Sequence, residues 1–314
     1  MTFSVTILGS SSALPTSTRF PSAHVLQAHE RLFLIDCGEG TQMQLRKLHI
    51  KFSKINNIFI SHIHGDHTLG LIGLISSFNL LGRTSELNIY AHAELKKILF
   101  DSLTFYVNDL NFKVNFIPIP ENKHQIIFED KKVIVETFPL RHRVPCSGFI
   151  FREKRGLPNI RKELIVKYSI PLSGILKIKN GEPFITSDNK LIPNDELTYF
   201  TNEPRSFAYC SDTLYSEKVV RYVRDVDLLY HEATFAHSEN SLAKLTGHST
   251  TLQAAKVAYN AHVKKLIIGH FSSRYKDVSV LADEARTIFP ETYAVEDGMI
   301  FDVSERKVLT TKCS

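Results

Sequence analysis

The sequence predicts an α/β fold: two sheets packed face to face, helices on their outer sides, and an inserted basic arm. Three observations predict it. Short apolar runs rich in β-branched residues alternate with helix-like segments toward both ends of the chain. The alternation stops from about Arg152 to Thr201, where Gly156, Pro158, Pro171, Gly174, Gly181, Pro183 and Pro193 punctuate a stretch without sustained period. It then resumes, so the elements fall into two halves, and two layers of sheet covered by helices bury both.

In chain order, Ser4–Leu8 is a β-branched run ended by Gly9, and Val25–Gln27 with Leu32–Ile35 flank a polar turn as a hairpin. Thr41–Leu48 has helical character, and Ile55–Ile60 is a short apolar strand. In Thr68–Leu81 the residues Leu71, Leu74, Ile75 and Phe78 recur at helical spacing and predict a buried helix face. Leu87–Ala91 reads as a strand, Glu94–Leu103 as a helix, and Lys113–Ile117, Gln125–Phe128, Lys132–Pro139 and Ser147–Phe151 as strands. Beyond the arm come strands at Ser206–Cys210 and Val226–Tyr230, and a helix at Thr250–Ala261 with Leu252, Ala255 and Tyr259 on one side. A strand at Lys265–Gly269 and a helix at Val278–Phe289 follow. Tyr293–Val295 with Met299–Val303 reads as a closing hairpin.

Composition is that of a soluble globular protein, 43% hydrophobic and 23% charged. No apolar run approaches the ~18 to 20 residues that span a bilayer, so no membrane partner is expected. The N-terminus reads as a buried first strand, and a cytoplasmic location is expected. Cys37, Cys146, Cys210 and Cys313 form no C-x-x-C pair and are expected as free thiols, mostly buried. The net charge of +5 is concentrated: Arg152 to Lys190 holds nine basic and four acidic residues, a balance equal to that of the whole chain. Such a localised cationic insert is the footprint of a phosphate-backbone contact.

The strongest chemical signal is Ser61-His62-Ile63-His64-Gly65-Asp66-His67, directly after an apolar strand and before a helix. Three imidazoles and a carboxylate within six residues are zinc-type ligands, and a strand-to-helix turn can point them in two directions, serving two ions. Two ions need further ligands. His142, Asp212 and His270 each stand just past an apolar strand; singly each reads as a turn residue, together they complete a site at one edge of the sheets.

His62–His67 resembles the H-x-H-x-D-H signature of the metallo-β-lactamase superfamily. Pro15–Arg19, Asp36–Gln42, His231–Thr234 (H-E-A-T), Gly247–Thr250 (G-H-S-T) and His270–Tyr275 (H-F-S-S-R-Y) narrow the resemblance to ribonuclease Z, the endonuclease family that trims the 3′ end of precursor tRNA. The resemblance implies an αββα four-layer sandwich, a single hydrolase domain over 1–314 with a flexible substrate-binding arm at 152–201. It implies two Zn²⁺ per subunit, one held by His62, His64 and His142, the other by Asp66, His67 and His270, with Asp212 bridging; Mn²⁺, Fe²⁺ or Co²⁺ are alternatives. Asp66 would also be the general base, and His248 the general acid supported by Glu232. Cleavage would leave a 3′-hydroxyl on the tRNA and a 5′-phosphate on the trailer. Thr16, Arg19, Ser272, Ser273 and Arg274 would meet the RNA near the cut, and Arg161, Lys162, Lys177 and Lys179 would grip it from the arm. A homodimer in which one subunit's arm serves the other's site is also implied. His231 and His237 are left to packing or surface roles. A broad phosphodiesterase or arylsulfatase on the same metals is the alternative, and it has less use for the arm.

Overall fold

Strands form where the sequence runs apolar and β-branched, and they assemble into two sheets. The computed structural model describes residues 2–107, 109–201, 203–303 and 308–310. The strands of the first sheet are β1 (Phe3–Gly9), β2 (Ala23–Ala28), β3 (Arg31–Ile35), β4 (Ile55–Phe59), β5 (Leu87–Ala91) and β6 (Val114–Pro118), joined by two C-terminal strands. The second sheet holds β7 (Gln125–Glu129), β8 (Val133–Pro139), β9 (Ser147–Glu153), β10 (Ser206–Cys210), β11 (Leu228–Glu232), β12 (Lys265–Gly269) and β13 (Thr292–Ala294). With β14 (Met299–Asp302) and β15 (Val308–Thr310), the first sheet runs β15-β14-β1-β2-β3-β4-β5-β6; the second runs β13-β12-β11-β10-β9-β8-β7. β3 to β6 are parallel, as are β10 to β13. Parallel strands end together, so each sheet presents a row of strand C-termini, where open α/β sheets place ligands.

Alternation decides which way each residue faces. Phe3, Val5 and Ile7 of β1 join Phe33, Phe59, Phe149, Phe151 and Phe207 in the core between the sheets. Phe33 meets Phe151 at 5.6 Å and Phe59 meets Phe149 at 5.6 Å between ring centroids. Val25, Leu34, Ile58 and Ile89 turn the other way and pack on Leu71, Leu74, Ile75 and Phe78 of the Gly70–Leu80 helix and on Leu95 and Leu99 of the Glu94–Tyr106 helix. Helices Thr251–Asn260 and Ser279–Arg286 cover the second sheet. The layers are α, β, β, α, as expected. Cys37, Cys146 and Cys210 are buried free thiols; Cys313 lies outside the described residues. Among the described residues no helix is long and apolar enough to cross a membrane.

Three expectations are corrected. The closing hairpin does not form: β13 pairs in parallel with β12 of the second sheet, while β14 pairs with β1 of the first. Its two strands are neighbours in sequence but finish different sheets. The Thr251–Asn260 helix buries Thr251, Ala254, Ala255 and Ala258, whereas Tyr259 is 61% exposed. Small side chains let this helix lie close on the sheet. The stretch beyond Arg152 is not irregular throughout. Glu153–Pro204, with Asp130–Lys132, forms a second compact unit holding helices Lys162–Lys167 and Leu172–Lys179 and two short strand pairs. Ile160, Ile170, Ile178, Ile192 and Leu197 make a core of its own. Helices of six and eight residues fall below the ~11-residue window in which periodicity shows.

Candidate metal centre

The site is assembled at strand C-termini from both sheets. After β4 the chain turns through His62 and His64 into a single helical turn, Gly65–Thr68, which carries Asp66 and His67. This loop is laced to the turn after β3: Cys37 N–H donates to the His67 carbonyl at 2.8 Å, and Gly70 N–H to the Cys37 carbonyl at 2.9 Å. The contact is close enough to require glycine at position 38, where a Cβ would lie 2.4 Å from the Asp66 carbonyl oxygen. His142 follows β8, Asp212 follows β10 and His270 follows β12.

The ligand atoms of His62, His64, His142 and Asp212 lie within 4.8 Å of one another, as do those of Asp66, His67 and His270. Asp212 joins the groups. Its Oδ2 lies 3.5 Å from His62 Nε2 and 3.7 Å from His142 Nε2; its Oδ1 lies 3.6 Å from His67 Nε2 and 3.3 Å from His270 Nε2. Asp66 Oδ2 is 3.4 Å from His67 Nε2 and 3.2 Å from His270 Nε2. All seven residues expected from the sequence meet in one cluster.

The cluster has the chemistry of a cation site. His67 Nε2 and Asp212 Oδ1 are buried without a hydrogen-bond partner, though each faces the other residues of the cluster. Asp36, Asp66, Asp212 and Glu232 bring four carboxylates together, and among the described residues their ion-pair partners are histidines alone. Buried carboxylates without Lys or Arg need cations. Behind the site, the second nitrogen of four imidazoles is held, which fixes tautomer and orientation. His62 Nδ1 lies 3.0 Å from Ser61 Oγ, His67 Nδ1 2.8 Å from Asp36 Oδ2, His142 Nδ1 2.9 Å from the Gly247 carbonyl, and His270 Nδ1 2.9 Å from Thr234 Oγ1. Gly247 has φ 82°, and a Cβ there would lie 2.9 Å from His142 Nδ1, so both conformation and space demand glycine.

Electrostatics follows from this crowding. Burial pushes the His62 imidazole down to about 4, keeping it neutral and able to ligate. Burial alone would raise the Asp212 carboxyl, but His270, His248, His67 and His62 outweigh it and hold it well below the usual range. Burial would likewise lower His67, yet Asp66, Asp36 and Asp212 raise it well above the ordinary imidazole value. The position demands positive charge, which a proton or a metal ion can supply.

Asp36 was missed in the sequence as a working residue. It is fully buried and accepts from Ser61 N–H (2.7 Å), Ser61 Oγ (2.9 Å), Tyr209 OH (2.7 Å) and His67 Nδ1. The available signal was a lone carboxylate at a strand end, the same one that marked Asp212. Glu232 and His248 stand beside the cluster. Glu232 is fully buried; its Oε1 accepts from Thr213 N–H and Ser249 N–H, its Oε2 from Thr234 N–H and Oγ1. His248 Nδ1 lies 3.3 Å from Glu232 Oε1 and 3.8 Å from Asp212 Oδ2. Burial would lower its pKa, but Asp212 and Glu232 overcome this and push it up to about 9. Thr250 caps the helix that follows in a capping box with Gln253, which fixes the backbone next to His248.

A family model described as the anti-Pycsar protein Apyc1 matches residues 3–154, under half the chain. A ribonuclease Z of Phocaeicola vulgatus is 48% identical over 305 residues, covering 97% of this chain and 99% of the relative. The chain belongs to the ribonuclease Z family. The crystal structure of human tRNase Z, short form, is 27% identical, with a TM-score of 0.69 and coverage of 96% of this chain and 100% of that one. The metallo-beta-lactamase fold protein YhfI from Bacillus subtilis has the same TM-score and coverage at 18% identity, a likeness of fold alone.

The residues expected to meet substrate in this ribonuclease Z-family chain are more varied. Ser272 and Ser273 are half-buried directly after His270. Arg274 is partly exposed, paired with Glu239 Oε2 at 3.2 Å and lying over Phe235. Thr16 Oγ1 accepts the Arg19 N–H at 3.0 Å and shapes its own turn. Arg19 departs from expectation: it is only 8% exposed, and its guanidinium donates inward to the Tyr275 carbonyl at 2.7 Å. It ties the Thr16–Arg19 turn to the His270–Tyr275 segment and does not offer an open fork to phosphate. His231 is buried, bonded through Nδ1 to the Glu232 carbonyl, and His237 is exposed. On the arm, Arg161, Lys162 and Lys177 are exposed and Lys179 half-buried.

Proposed function

We propose that this chain is a metal-dependent endoribonuclease that removes 3′ trailers from precursor tRNA. The observation that carries the reading is a carboxylate, Asp212, shared between two imidazole-rich groups, with a Glu232-backed histidine beside it. His62, His64 and His142 would hold one Zn²⁺ and Asp66, His67 and His270 the other, with Asp212 shared between them. When bound, the ions lower the pKa of the attacking water and neutralise charge on the scissile phosphate. Asp66 would serve both as a ligand and as the acceptor of the water's proton. Ribose O3′ leaves poorly as an alkoxide, so His248 donates a proton to it, and Glu232 holds His248 charged and oriented until then. The tRNA leaves with a 3′-hydroxyl and the trailer with a 5′-phosphate.

The arm at 152–201 serves as the tRNA-gripping element, through Arg161, Lys162, Lys177 and Lys179. The working form is a cytoplasmic homodimer with each arm acting on the other subunit's substrate. Exposed Met43 and Leu69, on and beside the first-sheet helices, support a subunit interface there. The test is a 3′-extended tRNA incubated with and without chelator, with the cut mapped. A single chelator-sensitive cut leaving a 3′-hydroxyl is expected; a 2′,3′-cyclic phosphate would overturn the mechanism, since the neighbouring hydroxyl would then be the nucleophile. Deleting residues 155–190 is expected to abolish tRNA cleavage and spare hydrolysis of bis(p-nitrophenyl) phosphate. A broad phosphodiesterase would keep both.

A further inference from the structure

The metal centre takes the C-terminal ends of the strands. At the opposite end of the first sheet, where β4 and β5 begin, lies a cleft of ≈ 600 Å³ that this chemistry does not use. It opens where the Thr41–Lys47 and Gly70–Leu80 helices end. Phe52, Phe78 and Leu81 give it an apolar wall, and Arg46, His49 and Lys51 a basic one; no lining residue is acidic. Phe52 meets Phe78 edge-on at 5.7 Å, and the Arg46 guanidinium sits 5.9 Å from the Phe52 ring centroid. Among the described residues neither Arg46 nor Lys51 is paired with a carboxylate.

Two features sharpen what this cleft can take. Arg83, also in its wall, is a structural cation: its guanidinium donates to the carbonyls of Ser85, Ile55 and Glu86 and to Asn56 Oδ1. The donors left for a ligand are therefore the Arg46 and Lys51 cations and the His49 imidazole. Helix C-termini repel anions through their free carbonyls, but here those of Gln44, Leu45, Ser77, Phe78 and Asn79 accept from the N–H groups of Leu48, Ile50, Leu81, Arg83 and Gly82. Aromatic rings lining the same cleft as three basic groups without carboxylate partners suit a ligand with a flat apolar body joined to a phosphate, and the volume lies in the range of about 300–1,000 Å³ usual for small-molecule sites. The geometry points to a second, non-catalytic site for a nucleoside 5′-monophosphate, its base against Phe52 and Leu81 and its phosphate among Arg46, His49 and Lys51. This inference is independent of the reading of the metal centre.

The chain has no tryptophan, so Phe52→Trp places a single reporter in the cleft. AMP titrated into the full-length variant is expected to change its fluorescence saturably, with adenosine and inorganic phosphate each weaker by more than an order of magnitude. Adding Arg46→Glu and Lys51→Glu should abolish the change, and the milder Arg46→Gln with Lys51→Gln should weaken it. Equilibrium dialysis of AMP against the unmodified, chelator-treated chain checks that the reporter has not created the site. Arg46→Gln with Lys51→Gln should lower the AMP bound at a subsaturating concentration while leaving thermal stability and tRNA cleavage intact. No saturable signal, adenosine binding as well as AMP, or AMP binding indifferent to both pairs of substitutions would overturn the proposal.

Discussion

At the metal centre His62 and Asp212 are 1% and 2% exposed and four imidazoles are fixed from behind, whereas on the arm Arg161, Lys162 and Lys177 stand in solvent. The first region is built from contacts between residues up to 204 positions apart, as His270 and Asp66 are; the second holds itself together over about fifty residues. Each atom of the centre has one workable position, and removing one spoils the rest. The arm offers charge, which adds up residue by residue. The difference predicts cliffs in one region and slopes in the other.

Asp212→Ala is the severest test. It removes the carboxylate common to both groups, so purified protein should lose most of its bound metal and cleave precursor tRNA at least about a thousandfold more slowly. Retention of both ions would show that Asp212 does not bridge. His248→Ala should lower kcat by about 10²- to 10⁴-fold while metal content stays unchanged. The pH profile identifies its role. With its pKa raised to about 9, His248 is protonated below that value and loses its proton as pH rises through it. An alkaline limb at or below pH 9 is expected, since bound cations beside Asp212 would pull the value down, and that limb should vanish in the variant.

Asp36→Asn touches neither substrate nor ligand position directly, yet it weakens the hold on His67. A loss of about 10- to 100-fold in metal affinity is expected, read by competition with a chromogenic chelator. On the arm, Lys177→Ala should reduce tRNA affinity modestly and lower the slope of log affinity against log salt by about one unit or less. Hydrolysis of a small phosphodiester should not change. A collapse of both activities would place Lys177 in the cliff-like region.

Acid separates the two regions without mutation. His24 packs against the stacked rings of Tyr209 and Tyr230 in the sandwich core, and burial pushes its pKa down to about 3. The folded form stays neutral where the unfolded chain binds a proton, so stability is lost as pH falls from about 6.5 toward 3. At pH 5 this one group costs about 2 kcal/mol. Residues 153–204 contain no histidine, so urea titrations at pH 7 and pH 5 should show the sandwich weakened while arm signals hold.

Much of this was legible in the sequence because the signals were local. The strand before His62 is apolar, the ligands sit in one short motif, and His142, Asp212 and His270 repeat the context of a polar residue past a buried strand. The failures were non-local. β13 and β14 look like a hairpin because only a short turn parts them, and nothing nearby reveals that their partners, β12 and β1, lie in different sheets. Asp36 stands in the sequence only as the start of a family motif, and its role shows once the fold brings His67, Ser61 and Tyr209 to it. Arg19 looks like a phosphate fork because its partner, the Tyr275 carbonyl, is a backbone atom 256 residues away. The helix face of Thr251–Asn260 misled for another reason: hydrophobicity favours large side chains, but close packing selected alanines.

The core of Ile160, Ile170, Ile178, Ile192 and Leu197 shares no member with the two cores of the sandwich. Inheritance can therefore treat the arm as a separate unit of change. Substitutions that retune its surface can accumulate, be tested by selection and be discarded without each one having to be matched by a compensating change around the metals. A library diversified only over residues 153–204 should return many well-folded variants with altered RNA preference, where one of equal size around Asp36 and Asp212 should return few.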